Sequence, residues 1–155
     1  MNRTIAERLN GSRLSGFHHA YTEQLTHEGF REISFDDRMA LLIDREELNR
    51  ANRTIASRVG RAKFKKNACY EDLKPSAVQG LDRTMIQSLG SCDFIRQKHN
   101  LIVTGPSGSG KTFLTTALAH RACLSGFTAR YYRAPGLLVD LDGARQDGRF
   151  RRVLW

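Results

Sequence analysis

The stretch that decides the fold is Leu101-Ile102-Val103-Thr104-Gly105-Pro106-Ser107-Gly108-Ser109-Gly110-Lys111-Thr112. Its first four residues predict a short buried strand, and residues 112–125 predict a helix. The residues from Gly105 to Thr112 match the pattern Gly-x-x-x-x-Gly-Lys-[Ser/Thr], which marks a phosphate-binding loop when it lies between a strand and a helix. An ordinary glycine turn explains neither the lysine nor the threonine that follows it. The sequence therefore predicts a binding site for a nucleoside triphosphate.

Each residue type in this loop has a physical role. Glycine permits backbone torsions that are closed to other residues, so that successive N–H groups can surround an anion at the positive end of the following helix. Lys111 supplies a charge for the β- and γ-phosphates, and the Thr112 hydroxyl is placed to ligate Mg²⁺. We expect ATP and Mg²⁺ as cofactors. The expected binding residues are Gly105, Pro106, Ser107, Gly108, Ser109, Gly110, Lys111 and Thr112.

The composition limits the class of protein. With 155 residues and 40% hydrophobic residues, the chain can form one domain or slightly more. It has no apolar run of membrane-spanning length and no apolar signal segment, so we expect a cytoplasmic protein without a membrane partner. Cys69, Cys92 and Cys123 are far apart and odd in number, which favours buried or idle thiols over a metal site or disulfides.

The charge favours a polyanionic partner. Lys and Arg outnumber Asp and Glu by 25 to 16, which gives a net charge of +9. Between Arg45 and Lys66 lie eight basic residues against only Glu46 and Glu47. This cluster fits contacts to DNA, an acidic protein surface or a solvated helix face, and sequence alone does not separate these. The predicted nucleic-acid contacts are Arg50, Arg53, Arg58, Arg61, Lys63, Lys65 and Lys66.

The first half of the chain is predicted to be helical. Apolar residues at helical spacing favour a helix over residues 12–28, and Ser34 followed by Asp37 forms a capping box at the start of a helix that extends to about Ala62. Residues 67–80 form an expected linker, after which Asp82 caps a short helix. We therefore predict a helical N-terminal region over residues 1–75.

Residues 76–155 are predicted to form a partial P-loop ATP-binding domain. A second strand is expected at residues 128–133, and alternating strands and helices indicate an α/β fold with a parallel sheet. Leu137-Leu138-Val139-Asp140 is similar to a strand that ends in a magnesium-binding aspartate. However, apolar residues at 134, 137, 138, 141 and 144 follow helical spacing, so a helix is favoured there.

The chain as a whole resembles the IstB-like family of transposition helper ATPases, which belong to the AAA+ class and are related to bacterial helicase loaders. The narrowest markers are residues 33–44, ISFDDRMALLID, and residues 81–95. Further similarity lies in Arg61-Ala62-Lys63-Phe64, Asn100-Leu101-Ile102-Val103-Thr104-Gly105 and Ala144-Arg145-Gln146-Asp147-Gly148. The resemblance implies an incomplete AAA+ core after a helical region. It also implies a helper that binds ATP and DNA, forms homo-oligomers and acts with a transposase.

The chain departs from this family at its end. From the resemblance we expect that residue 155 comes before the second nucleotide-site strand, and that this strand's aspartate and glutamate, the sensor residues and the arginine finger are absent from these 155 residues. Because phosphoryl transfer needs such groups for positioning and charge neutralisation, we expect a fragment that binds ATP without efficient hydrolysis. Two alternatives stay open: a metabolic P-loop kinase, and a non-functional remnant of a transposon gene.

Overall fold

The computed structural model describes residues 2–65, 68–73 and 81–150. Short 3-10 turns at Glu28–Arg31 and Tyr70–Asp72 lie between some of its helices. The chain divides into two compact units, Met1–Ser57 and Arg58–Trp155. The helices in chain order are α1 (Asn2–Gly11), α2 (Ser15–Thr26), α3 (Phe35–Ala62), α4 (Arg83–Gly90), α5 (Asp93–Arg96), α6 (Lys111–Leu124) and α7 (Ala134–Gln146).

The predicted parallel sheet, and with it the α/β fold class, is wrong for the described residues, which contain no β-strand. A strand is stabilised by a ladder of hydrogen bonds to a neighbouring strand, and neither residues 101–104 nor residues 128–133 have such a partner within the described ranges. The Tyr131 N–H instead donates to the Ala62 carbonyl at the end of α3, at 2.9 Å. Ile102, which was predicted to be buried, is 83% exposed. The described fold is helical.

The first unit contains an antiparallel helical hairpin of α2 and the first part of α3. Ser15 at the start of α2 accepts a hydrogen bond from the Asn49 side chain at 2.9 Å, while Gln24 near its end donates to the Arg38 carbonyl at 3.0 Å. The N-cap predicted at Ser34 is confirmed, because Asp37 N–H donates to the Ser34 hydroxyl, which itself donates to the Asp37 carboxylate. These contacts fix both the direction and the register of the two helices.

The two helices of the hairpin approach most closely at Gly16. A Cβ atom at this position would lie 2.7 Å from the Arg45 carbonyl oxygen, 2.7 Å from Asn49 Cβ and 2.9 Å from Glu46 Cα. The inward face of α2 is therefore centred on the small residues Gly16 and Ala20, both of which are buried. Among the larger apolar residues whose helical spacing predicted this helix, Phe17 and Tyr21 are half-buried and Leu25 is exposed.

The second unit has a core built on α6. Leu114, Ala117 and Leu118 are buried there with Ile86 of α4, as their helical spacing predicts. The start of α4 is capped as expected, because the Asp82 carboxylate accepts from Met85 N–H at 2.6 Å. The other buried members of this core are Ala68 and Leu73, and its partly buried members are Tyr70, Leu81, Leu89, Val103 and Phe113.

Glycines shape two further points in this unit. Gly126 has a φ of 98° after the end of α6, and Phe127 N–H donates to the Ala122 carbonyl at 2.9 Å, which closes the helix in a Schellman motif. Gly90 allows the Tyr70 ring to lie against the backbone and donate its hydroxyl proton to the Ile86 carbonyl at 2.7 Å. Within the described residues, no helix is both long and apolar enough to cross a membrane.

Candidate functional site

The glycine-rich loop is held by the core of the second unit at both of its ends. Val103, just before the loop, packs partly buried against this core, and Leu114, in the first turn of α6, is buried in it. Between these two anchors the loop residues from Gly105 to Gly108 are exposed. The helix that follows the loop is thus fixed by apolar packing, while the loop remains open to solvent.

The loop backbone adopts torsions that favour glycine. The φ angles of Gly105, Gly108 and Gly110 are 151°, 82° and 81°, and in this region an L side chain is strained. Gly110 is also the N-cap residue of α6, and its carbonyl accepts from Leu114 N–H at 2.9 Å. The sequence requirement for glycine therefore has a direct cause in the backbone path.

The Lys111 side chain turns back over its own loop. Its ammonium group donates to the carbonyl oxygens of Gly105 at 2.9 Å and Pro106 at 2.6 Å. A positive charge is therefore held at the loop, beside the N-terminus of α6, where an anion is favoured by the helix dipole. An anion that binds here can take the ammonium group as a partner in place of these carbonyls.

Thr112 lies in the first turn of α6 and is exposed, so its hydroxyl is accessible to a metal ion bound with phosphate. The loop itself contains no carboxylate. Asp140 lies on α7, whose helical conformation confirms the sequence prediction for that segment. It lines a groove with residues 60–63 and 130–132, and no loop residue lines that groove.

The predicted DNA-contact residues have different surroundings. Arg53, Arg61, Lys63 and Lys65 are exposed, whereas Arg58 is half-buried. Arg50 donates through Nε to the Glu46 carboxylate at 2.7 Å, so it has a structural partner in the first unit. Lys66 lies outside the described residues.

Glu46 is a structurally important residue that the sequence analysis missed. It is buried at 6% exposure, and its carboxylate oxygen Oε2 accepts from the N–H groups of Gly16 at 2.9 Å and Phe17 at 3.1 Å. The carboxylate thus caps the N-terminus of α2 from α3. The Arg50 guanidinium is the main cause that holds the pKa of Glu46 below its ordinary value, against the opposing effect of burial.

The cysteines are free thiols, of which Cys92 and Cys123 are buried and Cys69 is exposed. Burial raises the pKa of the Cys123 thiol, although Ala129 N–H and the nearby Arg58 charge act in the opposite direction. Within the described ranges, no group of His, Cys, Asp or Glu side chains has the arrangement of a metal site.

Comparison with known proteins identifies the family. Residues 7–155 match the family described as IstB-like ATP binding protein. A Pseudomonas fluorescens protein named as an ATP-binding protein of insertion sequence IS1162 is 42% identical over 155 residues, which cover 99% of this chain and 67% of the relative. A Sinorhizobium fredii protein, named as insertion sequence ATP-binding protein y4pL, is 35% identical over 147 residues, which cover 95% of this chain and 60% of the relative.

A third relative, from Pseudomonas aeruginosa, is named as an ATP-binding protein of insertion sequence IS21 and is 28% identical over 145 residues, covering 92% of this chain and 55% of the relative. Because the family match spans nearly the whole sequence, this chain belongs to the IstB-like ATP binding protein family. It spans between about half and two thirds of the length of these curated relatives.

Proposed function

We propose that this chain is the nucleotide-binding part of an insertion-sequence helper protein that holds ATP at residues 105–112. The observation that carries the proposal is the loop geometry: three glycines at positive φ and the Lys111 ammonium group held at the start of α6. The names of the relatives, each an ATP-binding protein of an insertion sequence, support the same function.

In this proposal, backbone N–H groups of the loop bind the phosphates and Lys111 neutralises their charge. Thr112 is the one loop hydroxyl in the first turn of α6, and its exposure suits it to hold Mg²⁺ together with phosphate oxygens. The ion would supply charge neutralisation on the phosphates. We expect negligible hydrolysis by the 155-residue chain alone, because residues 105–112 contain no carboxylate that could orient water.

The wider role in the proposal is assistance to a transposase, on DNA, in the cytoplasm and as a homo-oligomer. Residues 1–75 contact protein partners and residues 76–155 bind the nucleotide. This division at residue 75 separates two proposed functions. The boundary between the two compact units lies elsewhere in the sequence, between Ser57 and Arg58. Positively charged side chains of α3 and of residues 63–66 contact the phosphates of DNA, in keeping with the net charge of +9.

Calorimetric titration with ATP, with and without Mg²⁺, tests the loop. Hydrogen bonds to charged groups contribute about 1.5–3 kcal/mol, so Lys111→Ala should weaken binding by about 10- to 100-fold. Thr112→Ala should weaken ATP binding in the presence of Mg²⁺ and leave ATP binding without Mg²⁺ unchanged. Thr115→Ala is the matched control, because this exposed hydroxyl lies one turn further along α6 and donates to the carbonyls of Lys111 and Thr112.

Equal ATP affinity in the parent and in Lys111→Ala would place the nucleotide elsewhere. Turnover of ATP with a nucleoside or sugar acceptor would instead favour a metabolic kinase. Circular dichroism of each variant shows first that it has kept the helical content of the parent.

The salt dependence of binding to duplex DNA tests the proposed contacts of the basic side chains of α3 and of residues 63–66. Each neutralised phosphate contributes about −0.9 to the slope of log affinity against log salt. Four or five contacts give a slope near −4, or a loss of a few hundredfold between about 50 and 200 mM salt. Replacing Arg61, Lys63, Lys65 and Lys66 with alanine should flatten this slope, and Lys111→Ala should leave it unchanged. An unaltered slope in the quadruple variant assigns these residues to a protein partner or to plain surface.

A further inference from the structure

The second unit contains a groove of about 780 Å³ that lies apart from the glycine-rich loop. One wall is the end of α3 with Lys63, another is residues 130–132, and the third is α7. A volume of this size is typical of sites that take organic ligands. None of residues 105–112 lines it, so the groove is a separate binding surface from the loop.

The groove walls are basic. Arg61, Lys63 and Arg130 line it and are exposed. A fourth lining cation, Arg149, is paired with Asp147. The remaining lining carboxylate is Asp140, so the cationic side chains outnumber the acidic ones and favour an anionic ligand.

The groove walls are also aromatic. Tyr131 and Tyr132 both line the groove, and Tyr132 is 40% exposed. The Arg130 guanidinium donates to the Tyr132 hydroxyl at 3.5 Å, which places a cation beside the ring. Tyr131 is tied to the end of α3 through its N–H bond to the Ala62 carbonyl, so this wall has a fixed position within the unit.

Aromatic rings between cationic side chains are the chemistry that recognises unpaired nucleic acid, because a base stacks on the ring while its phosphates contact the cations. Bases in a duplex stack on each other and leave no face for a tyrosine. An acidic peptide would use the cations but not an exposed ring. The groove chemistry therefore favours a single-stranded oligonucleotide over either alternative.

We propose that this groove binds single-stranded nucleic acid, with a base on Tyr132 and phosphates on Arg61, Lys63 and Arg130. The proposal goes beyond nucleotide binding at the glycine-rich loop and does not depend on it. It shares only Arg61 and Lys63 with the proposed duplex-binding surface of α3.

Fluorescence anisotropy of the full chain with a labelled oligothymidylate of about 16 nucleotides, and with a duplex of equal length, tests the groove. Tyr132→Ala should weaken single-strand binding by about 5- to 100-fold and leave duplex binding nearly unchanged. Tyr132→Phe keeps the stacking ring and should bind like the parent. Arg130→Gln should reduce the magnitude of the slope of log affinity against log salt for the single strand by about 0.7.

Matched controls separate this groove from the other sites. Arg83→Gln removes an exposed charge outside the groove and should leave the preference for single strands unchanged. Arg53→Gln, on α3 outside the groove, should reduce duplex binding and leave single-strand binding nearly unchanged. Lys111→Ala should weaken ATP binding by about 10- to 100-fold without changing oligonucleotide affinity, so failure of the loop proposal and failure of the groove proposal are distinguishable.

Two results would overturn the proposal. One is a Tyr132→Ala variant that binds the single strand as well as the parent does. The other is full displacement of the oligonucleotide by oligoglutamate at matched charge, which would assign the groove to an acidic peptide.

Discussion

Gly16→Ala tests the close contact between α2 and α3. The added Cβ would lie within 2.9 Å of three atoms of α3, of which the Arg45 carbonyl oxygen and Glu46 Cα are backbone and cannot rotate away. Overpacking of this kind costs about 1–3 kcal/mol, and the higher helix propensity of alanine offsets at most about 1 kcal/mol of it. Because two of the three atoms are backbone, we take the upper part of this range, about 2–3 kcal/mol, and expect a net loss of about 1–2 kcal/mol in the free energy of unfolding.

Urea denaturation followed by circular dichroism measures this loss. With a dependence of about 1 kcal/mol per molar urea for a small unit, the midpoint should fall by about 1–2 M. Amide hydrogen exchange should localise the loss of protection to α2. Gly29→Ala is the matched control, because Gly29 is also the second residue of a helical segment in the same unit and a Cβ there would meet nothing within 4 Å. Equal midpoints for Gly16→Ala and Gly29→Ala would refute the close approach.

Three other outcomes are expected. The pKa of Glu46 is held below its ordinary value of 4.5, so the ionised carboxylate contributes fully to stability above pH 4.5. This contribution is lost as the pH falls through the lowered pKa. Urea midpoints measured against pH should show the loss, and Glu46→Gln should make the midpoints less dependent on pH. Steady-state phosphate release should be negligible, and release that disappears in Asp140→Asn would contradict the proposed lack of hydrolysis. A thiol reagent should modify exposed Cys69 before buried Cys123, which is shielded by burial and has a smaller thiolate fraction because its pKa is raised. Equal rates would contradict that burial.

Local signals in the sequence were sufficient to predict most helices. Ser34 and Asp82 are N-caps whose bonds span three residues, and Gly126 ends α6 through its own backbone torsion. Such contacts are short in sequence and depend on residue type alone. For the same reason, the spacing of apolar residues was enough to predict α7 as a helix and not a strand.

Contacts between distant parts of the chain could not be predicted in this way. Whether residues 128–133 form a strand depends on a neighbour, and in the described residues Tyr131 bonds to the end of α3 instead. Glu46 caps a helix 30 residues away in sequence, and no local pattern marks that pairing. The tyrosines of the groove were assigned to a strand, so their position beside Arg61 and Lys63 was not foreseen. The glycine-rich loop was the opposite case, because its residues and its proposed ligand are specified by one continuous stretch.

The most direct test of phosphate binding at the loop is an amide NMR titration of the full chain with MgATP. Shifts of the amide resonances should be largest for residues 107–112, since their N–H groups are the proposed phosphate ligands. The same shifts should be lost in Lys111→Ala while the remaining spectrum is unchanged. Saturable shifts at the groove around Tyr132, with the loop amides unmoved, would contradict the account.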